Sequence, residues 1–326
     1  MTFDTGCEYT TVTSDICSNC SSKAYQPATS ETENNLATQW ELDMDLGGQS
    51  VELRVFAFTD TICLSDASDA TCIDNFKFYP IYEQKNLPKG SDGIVGIAPL
   101  QTQKKKDKEG PSFVHALKRA GIIDRALVGL FVSKFEDINH TIQIGDFDPT
   151  VVEGGETGIQ WFSLAVADLT WKWQTDLTKA HLGTKSLFKH DFKFVELAAG
   201  YEGTGLSSDD FTAASNILEA AHPNGIVCDG KKCLMKESCE NYKGKIPDLK
   251  LTVSNRITYT IEGDDLLKEI KAGADKTFCQ ILLYNSGDTY RLGSSFLKNY
   301  YSVYDLDNFK MGLGKVKDLT PVDTSE

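Results

Sequence analysis

Residues 292–305 have the sequence LGSSFLKNYYSVYD, and this segment is the most informative in the chain. Its second half, Tyr300–Tyr304, is rich in aromatic and β-branched residues and predicts a β-strand. Segments of the same kind, separated by turn residues, occur at Val51–Phe58, Thr141–Ile144 and Leu251–Ile261. The pattern predicts a mainly β protein.

Helical patterns are few. Pro111–Ile123 places apolar residues near one face and begins with a proline that suits a first turn, so we expect a helix near residues 112–119. Ser208–Ala221 begins with capping residues and predicts a second helix. Asp264–Ala272 predicts a third, short helix. Residues 103–110 form a charge run, which is typical of a solvated loop.

The length and the charge of the chain limit its fold and its partners. Its 326 residues suit two lobes, which we expect at residues 1–155 and 156–326 with the junction inside 154–160. A net charge of −14 makes nucleic acid and anionic membrane surfaces poor partners. No apolar run reaches the roughly 18 residues of a membrane-spanning helix. No cofactor and no metal ion are expected.

The nine cysteines favour an oxidising compartment, since several lie close together in polar stretches as disulfide-stapled loops do. Two glycosylation sequons, Asn19-Cys20-Ser21 and Asn139-His140-Thr141, are compatible with a secreted glycoprotein. No signal peptide precedes the first motif, so we expect that the sequence lacks its natural N-terminus. Cys17 and Cys20 have the spacing of zinc ligands, but no second close pair lies nearby, and disulfides are the favoured interpretation.

Several segments resemble those of the pepsin-like aspartic protease family (peptidase A1), occur in the family's order and together cover nearly the whole chain. They are residues 3–6 (FDTG), 92–98 (DGIVGIA), 112–118 (SFVHALK), 142–148 (IQIGDFD), 173–174 (WQ), 292–305 and 311–313 (MGL). The resemblance implies a mainly β, bilobal fold with an interlobe cleft, in which the first lobe lacks its usual first strands. It implies the cleavage of peptide bonds as the activity of the family.

The cysteines agree with this resemblance. It implies a small disulfide loop, Cys17–Cys20, and a larger one, Cys239–Cys279. Local pairing is expected for Cys63–Cys72 and for Cys228–Cys233, which leaves Cys7 free.

The family cleaves peptides with two carboxylates that share a proton and a water molecule between the lobes. Asp4 resembles the carboxylate of the first lobe, and the resemblance implies that Thr5 bonds across the lobe interface while Gly6 permits a close backbone approach. The second motif resembles Ala198-Ala199-Gly200, which places Ala198 where the second aspartate belongs. We therefore expect Ala198 to face Asp4 across the cleft.

No nearby acid replaces Ala198 cleanly. Glu196 lies two residues earlier, which in a strand is the same face but about 6–7 Å away. Glu202, Asp209 and Asp210 fall beyond the turn.

Three further departures from the family pattern accompany this loss. Cys7 stands where the family has serine, Thr11 stands where it has tryptophan, and Trp40–Val51, with Gly47-Gly48 as its turn, contains no tyrosine. A nucleophilic Cys7 would need a base to form the thiolate, but the five histidines map far from it in the family layout. A free, buried Cys7 is therefore the favoured interpretation.

These departures together indicate loss of the catalytic task. We expect a non-catalytic, pepsin-like protein whose cleft binds an extended peptide or a segment of a protein partner; carbohydrate or inhibitor binding falls in the same class. The alternative is an active aspartic endopeptidase, with a different register of the second motif or with the alanine pair introduced artificially. Asp4 is expected to titrate without the two steps of a coupled pair. The expected location is the secretory pathway or an extracellular or lysosome-like compartment.

Overall fold

The computed structural model describes residues 1–46, 49–64, 71–99, 112–135, 138–165, 172–188, 193–254, 256–271 and 277–318. The first-half strands are β1 (Thr2–Asp4), β2 (Thr10–Thr13), β3 (Asn34–Leu46), β4 (Gln49–Cys63), β5 (Cys72–Lys85), β6 (Gly93–Gly96), β7 (Leu127–Phe131) and β8 (Thr141–Ile144). The next are β9 (Gln160–Ser163), β10 (Gln174–Leu182), β11 (Lys185–Ser186), β12 (Lys193–Leu197), β13 (Thr204–Leu206), β14 (Ile226–Cys228) and β15 (Lys232–Met235). The last are β16 (Leu249–Val253), β17 (Ile257–Ile261), β18 (Leu267–Lys271), β19 (Thr277–Asn285), β20 (Tyr290–Leu292), β21 (Tyr300–Asp305) and β22 (Lys310–Lys315).

Helices are short in the described part of the chain, and the predicted mainly β fold is confirmed. They are α1 (Phe113–Arg119), α2 (Ser208–Ala221) and α3 (Ser294–Leu297), with 3-10 turns at Pro27–Thr29, Pro149–Val151, Gly155–Gly158, Cys239–Tyr242 and Gly263–Leu266. None of the helices among the described residues is long and apolar enough to cross a membrane.

Within the described residues the strands form three sheets. A six-stranded sheet in the order β1-β6-β2-β5-β4-β3 uses only residues before 97. An eleven-stranded sheet follows the order β14-β15-β19-β13-β20-β12-β10-β16-β17, with β11 on β10 and β18 on β19. The third sheet, β8-β7-β21-β22-β9, combines strands from both halves of the chain and therefore ties the halves together.

The two large sheets repeat one local arrangement. In the first, β1 runs parallel to β6, and β6 pairs antiparallel with β2. In the second, β12 runs parallel to β20, and β20 pairs antiparallel with β13. Asp4 ends β1, and Ala198 follows the last residue of β12, so the repeat presents both motif loops in equivalent surroundings.

Two of the expected elements are wrong. Of the helix expected at Asp264–Ala272, the described residues 264–271 form no α-helix; a 3-10 turn, Gly263–Leu266, leads into β18, whose backbone pairs with β19 along its length. Leu251–Ile261 is not one strand, because Ser254, at a φ of 49°, begins the turn that separates β16 from β17. In both cases backbone pairing between neighbouring strands outweighs the local preference.

The remaining expected elements have their counterparts. Ser208–Ala221 is α2 with the predicted bounds, and Thr141–Ile144 is β8. The first predicted helix appears as α1, whereas Pro111, the charge run at 103–110 and the turn at Gly47-Gly48 lie outside the described residues.

Candidate functional site

Asp4 occupies the end of β1, where the chain leaves the first sheet. Its side chain is 3% exposed, and its Oδ1 accepts a hydrogen bond from the backbone N of Gly6 at 3.1 Å. The carbonyl of Asp4 accepts a hydrogen bond from Ile97 N at 2.9 Å, which fastens the loop to the end of β6. One hydrogen bond therefore holds the carboxylate, and the other holds the backbone that carries it.

Thr5 joins the two motif loops. Its buried hydroxyl donates to the carbonyl of Leu197 at 3.1 Å and accepts from the backbone N of Ala199 at 3.0 Å. These two groups belong to the residues on either side of Ala198. The first motif is therefore hydrogen-bonded to the second motif both before and after Ala198. Ala199 has only a methyl group and cannot return the contact with a hydroxyl of its own.

Ala198 stands where the repeat of the two sheets calls for a counterpart of Asp4. Asp4 is level with Gly96 in the β1–β6 pair, and Leu197 is level with Leu292 in the β12–β20 pair, so the next residue, Ala198, is level with Gly293. Ala198 is 5% exposed, and its backbone N donates to the carbonyl of Leu292 at 2.9 Å. Its methyl group carries neither a charge nor a transferable proton.

The glycines that the loops require are not those the sequence suggested. A Cβ added to Gly6 would lie 3.6 Å from Asp4 Oδ1, an ordinary contact. A Cβ on Gly96 would lie 2.3 Å from the carbonyl oxygen of Cys7, and one on Gly293 would lie 2.2 Å from that of Tyr201. The close backbone approach thus occurs at Gly96 and Gly293. Gly200, beside Ala199, is partly buried.

Glu196 is paired with two cations. It lies in β12, is 6% exposed, and places Oε2 3.3 Å from Lys172 Nζ and 3.8 Å from Arg291 Nε. Sequence reasoning did not find these two cations, because Arg291 reaches Glu196 only through the pairing of β12 with β20.

Two of the three acids beyond the turn, Asp210 and Glu202, are also paired with lysines. Asp210 is buried in the first turn of α2 and lies 2.6 Å from Lys193 Nζ. Glu202 forms an ion pair with Lys268. Asp209 is exposed on the same turn of α2.

Cys7 is a buried free thiol beside the first motif. Its Sγ accepts a hydrogen bond from the backbone N of Tyr9 at 3.3 Å. Burial, and to a smaller extent the charge of Asp4, raises the pKa of the Cys7 thiol to about 12. This buried environment opposes formation of the thiolate that a cysteine nucleophile would need.

A cavity of about 310 Å³ lies between the first motif loop and strand β3. Leu42, Met44 and Asp43 line it from β3, and residues 6–9 line it from the motif loop. Lys172 lies at the same cavity. Its volume is at the lower end of the range of small-ligand pockets, which begins at about 300 Å³. It accommodates a side chain or a short segment.

The disulfides occupy the positions that were expected. The structure contains Cys17–Cys20, Cys63–Cys72, Cys228–Cys233 and Cys239–Cys279. Because Cys17 and Cys20 are bonded to each other, the zinc interpretation of this pair is wrong.

Two comparisons with known proteins agree with this architecture. Residues 1–316 match the sequence model of the family described as "Eukaryotic aspartyl protease". Pepsin A of Sus scrofa is 24% identical to this chain over 338 aligned positions, which cover 96% of this chain and 77% of pepsin A.

Proposed function

The chain belongs to the eukaryotic aspartyl protease family, and we propose that it is a member that no longer cleaves peptides but still binds them in its cleft. The observation that supports this proposal is the pair of hydrogen bonds between the Thr5 hydroxyl and the two backbone groups that flank Ala198. It brings the motif loops together with an aspartate on one side and an alanine on the other.

The chemistry of the family needs both positions. One carboxylate takes a proton from water while its protonated neighbour polarises the scissile carbonyl, and a single group cannot be in both states at once. Ala198 supplies neither form, and Glu196 is held by Lys172 and Arg291. We infer that hydrolysis has been lost at this step, since each general acid or base contributes about 10²- to 10⁴-fold to such a rate.

Binding depends on other groups. The strand β3 is at the edge of the six-stranded sheet as described, so its backbone offers hydrogen bonds to an extended segment. Residues 41–44 of β3 also line the cavity beside the first motif, where a side chain of that segment would lie. Because Glu8 and Asp43 line it as well, we propose that peptides with lysine or arginine are preferred.

We infer the compartment from the disulfides. Four of them persist only in an oxidising environment, and the family relation also favours a secreted or lysosomal location. We place the protein in the secretory pathway or beyond it.

Activity is tested by restoring the second motif. Purified chain is incubated with an unfolded protein from strongly acidic to neutral pH, beside Asp4→Ala, Ala198→Asp/Ala199→Thr and the uncharged control Ala198→Asn/Ala199→Thr. We expect cleavage by the aspartate variant alone, at least about 10²-fold above the other three. Cleavage by the native chain that disappears in Asp4→Ala would establish the alternative, an active endopeptidase.

Binding is tested separately on the native chain with a library of labelled, extended peptides. We expect saturable binding of basic peptides and a loss of up to about fivefold in affinity for Asp43→Asn, the size of a partly exposed ion pair. The control is Asp288→Asn, an exposed acid that does not line the cavity. Equal affinities of the two variants for basic peptides would contradict the proposed preference for basic peptides. If no peptide binds, the proposed binding role is refuted.

A further inference from the structure

The asparagines of the two glycosylation sequons have different surroundings in the folded protein. Asn139 is exposed in the connection between β7 and β8, and Thr141 is the exposed first residue of β8. The middle residue of the sequon, His140, accepts a hydrogen bond from the backbone N of Ser133 at 3.0 Å. This bond joins the two ends of the connection between β7 and β8. The acceptor asparagine and the threonine that the sequon requires are both exposed residues.

Asn19 uses its amide within the structure. Its Nδ2 donates to the carbonyl of Gln84 at 2.6 Å, and its Oδ1 accepts from Gln84 N at 3.1 Å. Its neighbour Cys20, the middle residue of the sequon, is locked in the Cys17–Cys20 disulfide. A sugar on this Nδ2 would crowd the contact that joins the small disulfide loop to β5.

The surface next to Asn139 gives a glycan a physical role. β8 is an edge strand of the five-stranded sheet as described, since it pairs with β7 and ends the strand order. Exposed edge strands pair readily with other chains, and proteins commonly cover or block them. A branched sugar at the start of β8 would exclude a second strand from this edge.

We propose that Asn139, and not Asn19, carries an N-linked oligosaccharide that shields the β8 edge. In this step Nδ2 attacks C1 of an oligosaccharide carried on a lipid pyrophosphate. A C–N bond forms, the lipid pyrophosphate leaves, and one amide proton is released. The inference rests on passage through the secretory pathway, as proposed above, and is independent of whether the cleft cleaves or binds peptides.

The test secretes the full chain from glycosylating eukaryotic cells and maps its peptides by mass spectrometry, with disulfides mapped in the same sample. We expect a glycan on Asn139 that is lost in Asn139→Gln and Thr141→Ala but kept in Thr141→Ser and Asn19→Gln. The two threonine variants separate loss of the sequon from a local structural defect. Secreted protein with its four disulfides formed and Asn139 unmodified, or with Asn19 modified, would overturn the assignment.

The shielding role has its own measurement. The folded glycoprotein is treated with a peptide-N-glycosidase, and its self-association is followed by sedimentation velocity against mock-treated protein. We expect more oligomer after the sugar is removed. The deglycosylated Gln143→Lys variant, which carries a charge on β8, should form less oligomer than the deglycosylated native chain. Identical sedimentation with and without the sugar would refute the shielding role. Asn139 would then be a glycosylated residue whose glycan does not shield the β8 edge.

Discussion

The hydroxyl group of Thr5 links the two motif loops with two hydrogen bonds. It donates to the carbonyl of Leu197 and accepts from the backbone N of Ala199. Thr5→Val keeps the shape of the side chain but leaves the buried carbonyl of Leu197 and the partly buried backbone N–H of Ala199 without this partner. Since each such group costs about 1–3 kcal/mol, we expect the free energy of unfolding to fall by about 2–6 kcal/mol. Urea denaturation measures it.

The matched control is Thr157→Val, because Thr157 bonds the carbonyl of Gly154 with an exposed hydroxyl. Its effect should stay within about 0.5 kcal/mol. Equal losses in the two variants would mean that the contact between the loops contributes nothing special to stability.

His115 in α1 gives a prediction about pH. Burial lowers the pKa of the His115 imidazole, helped slightly by Arg119 and Lys118, while the carboxylate of Asp307 opposes the shift. The unfolded chain then binds a proton at this site more readily than the folded protein does. Stability from this group is therefore present above the ordinary pKa of 6.5 and is lost as the pH falls below it.

We expect His115→Gln to show a smaller drop in unfolding free energy between pH 7 and about pH 5 than the native chain. The comparison cancels the carboxylates that both proteins share. A drop as large in the variant as in the native chain would show that another group causes the acid sensitivity.

Among the elements, the disulfide between the 3-10 turn at Cys239 and strand β19 closes the longest loop, with a separation of 40 residues. In the chain-entropy model its removal costs about 3–4 kcal/mol, against about 2 kcal/mol for a five-residue loop. We expect Cys239→Ala/Cys279→Ala to unfold at lower urea than Cys228→Ala/Cys233→Ala, whose separation is 5 residues. The reverse order would show that loop length does not govern these bonds.

The whole molecule is held together by the shared sheet. β7 pairs with β21, and a cluster that includes Leu127, Phe131, Tyr301 and Val303 crosses between the two halves of the chain. We propose the boundary between lobes near residue 155, yet we expect the fragment 1–155 not to fold alone, because β7 loses its neighbour β21 and the apolar residues that β21 packs against it.

Circular dichroism and limited proteolysis of the separate fragments 1–155 and 156–326, and of the two expressed together, measure this. Cooperative unfolding of the fragment 1–155 by itself would contradict the prediction. Recovery of protease resistance only on co-expression would support it.

Much of the fold and part of the site were predictable because their signals are local or carried by long matching segments. The strand at Tyr300–Tyr304, the bounds of α2 and the four cysteine pairs belong to this class. The alanine in the second motif is also plain from the sequence. The helix expected at 264–272 failed because pairing with β19 outweighed local preference.

The chain's own residues thus determine a mainly β member of the aspartyl protease family with Asp4 in one motif and Ala198 in the other. The contacts of these positions depend on partners far away in sequence. Thr5 meets a backbone some 190 residues later (192 for Leu197, 194 for Ala199), and Arg291 meets Glu196 through strand pairing. The close approaches at Gly96 and Gly293 arise in the same way. Only the folded chain brings such groups together, since no local pattern specifies which distant backbone a side chain will reach.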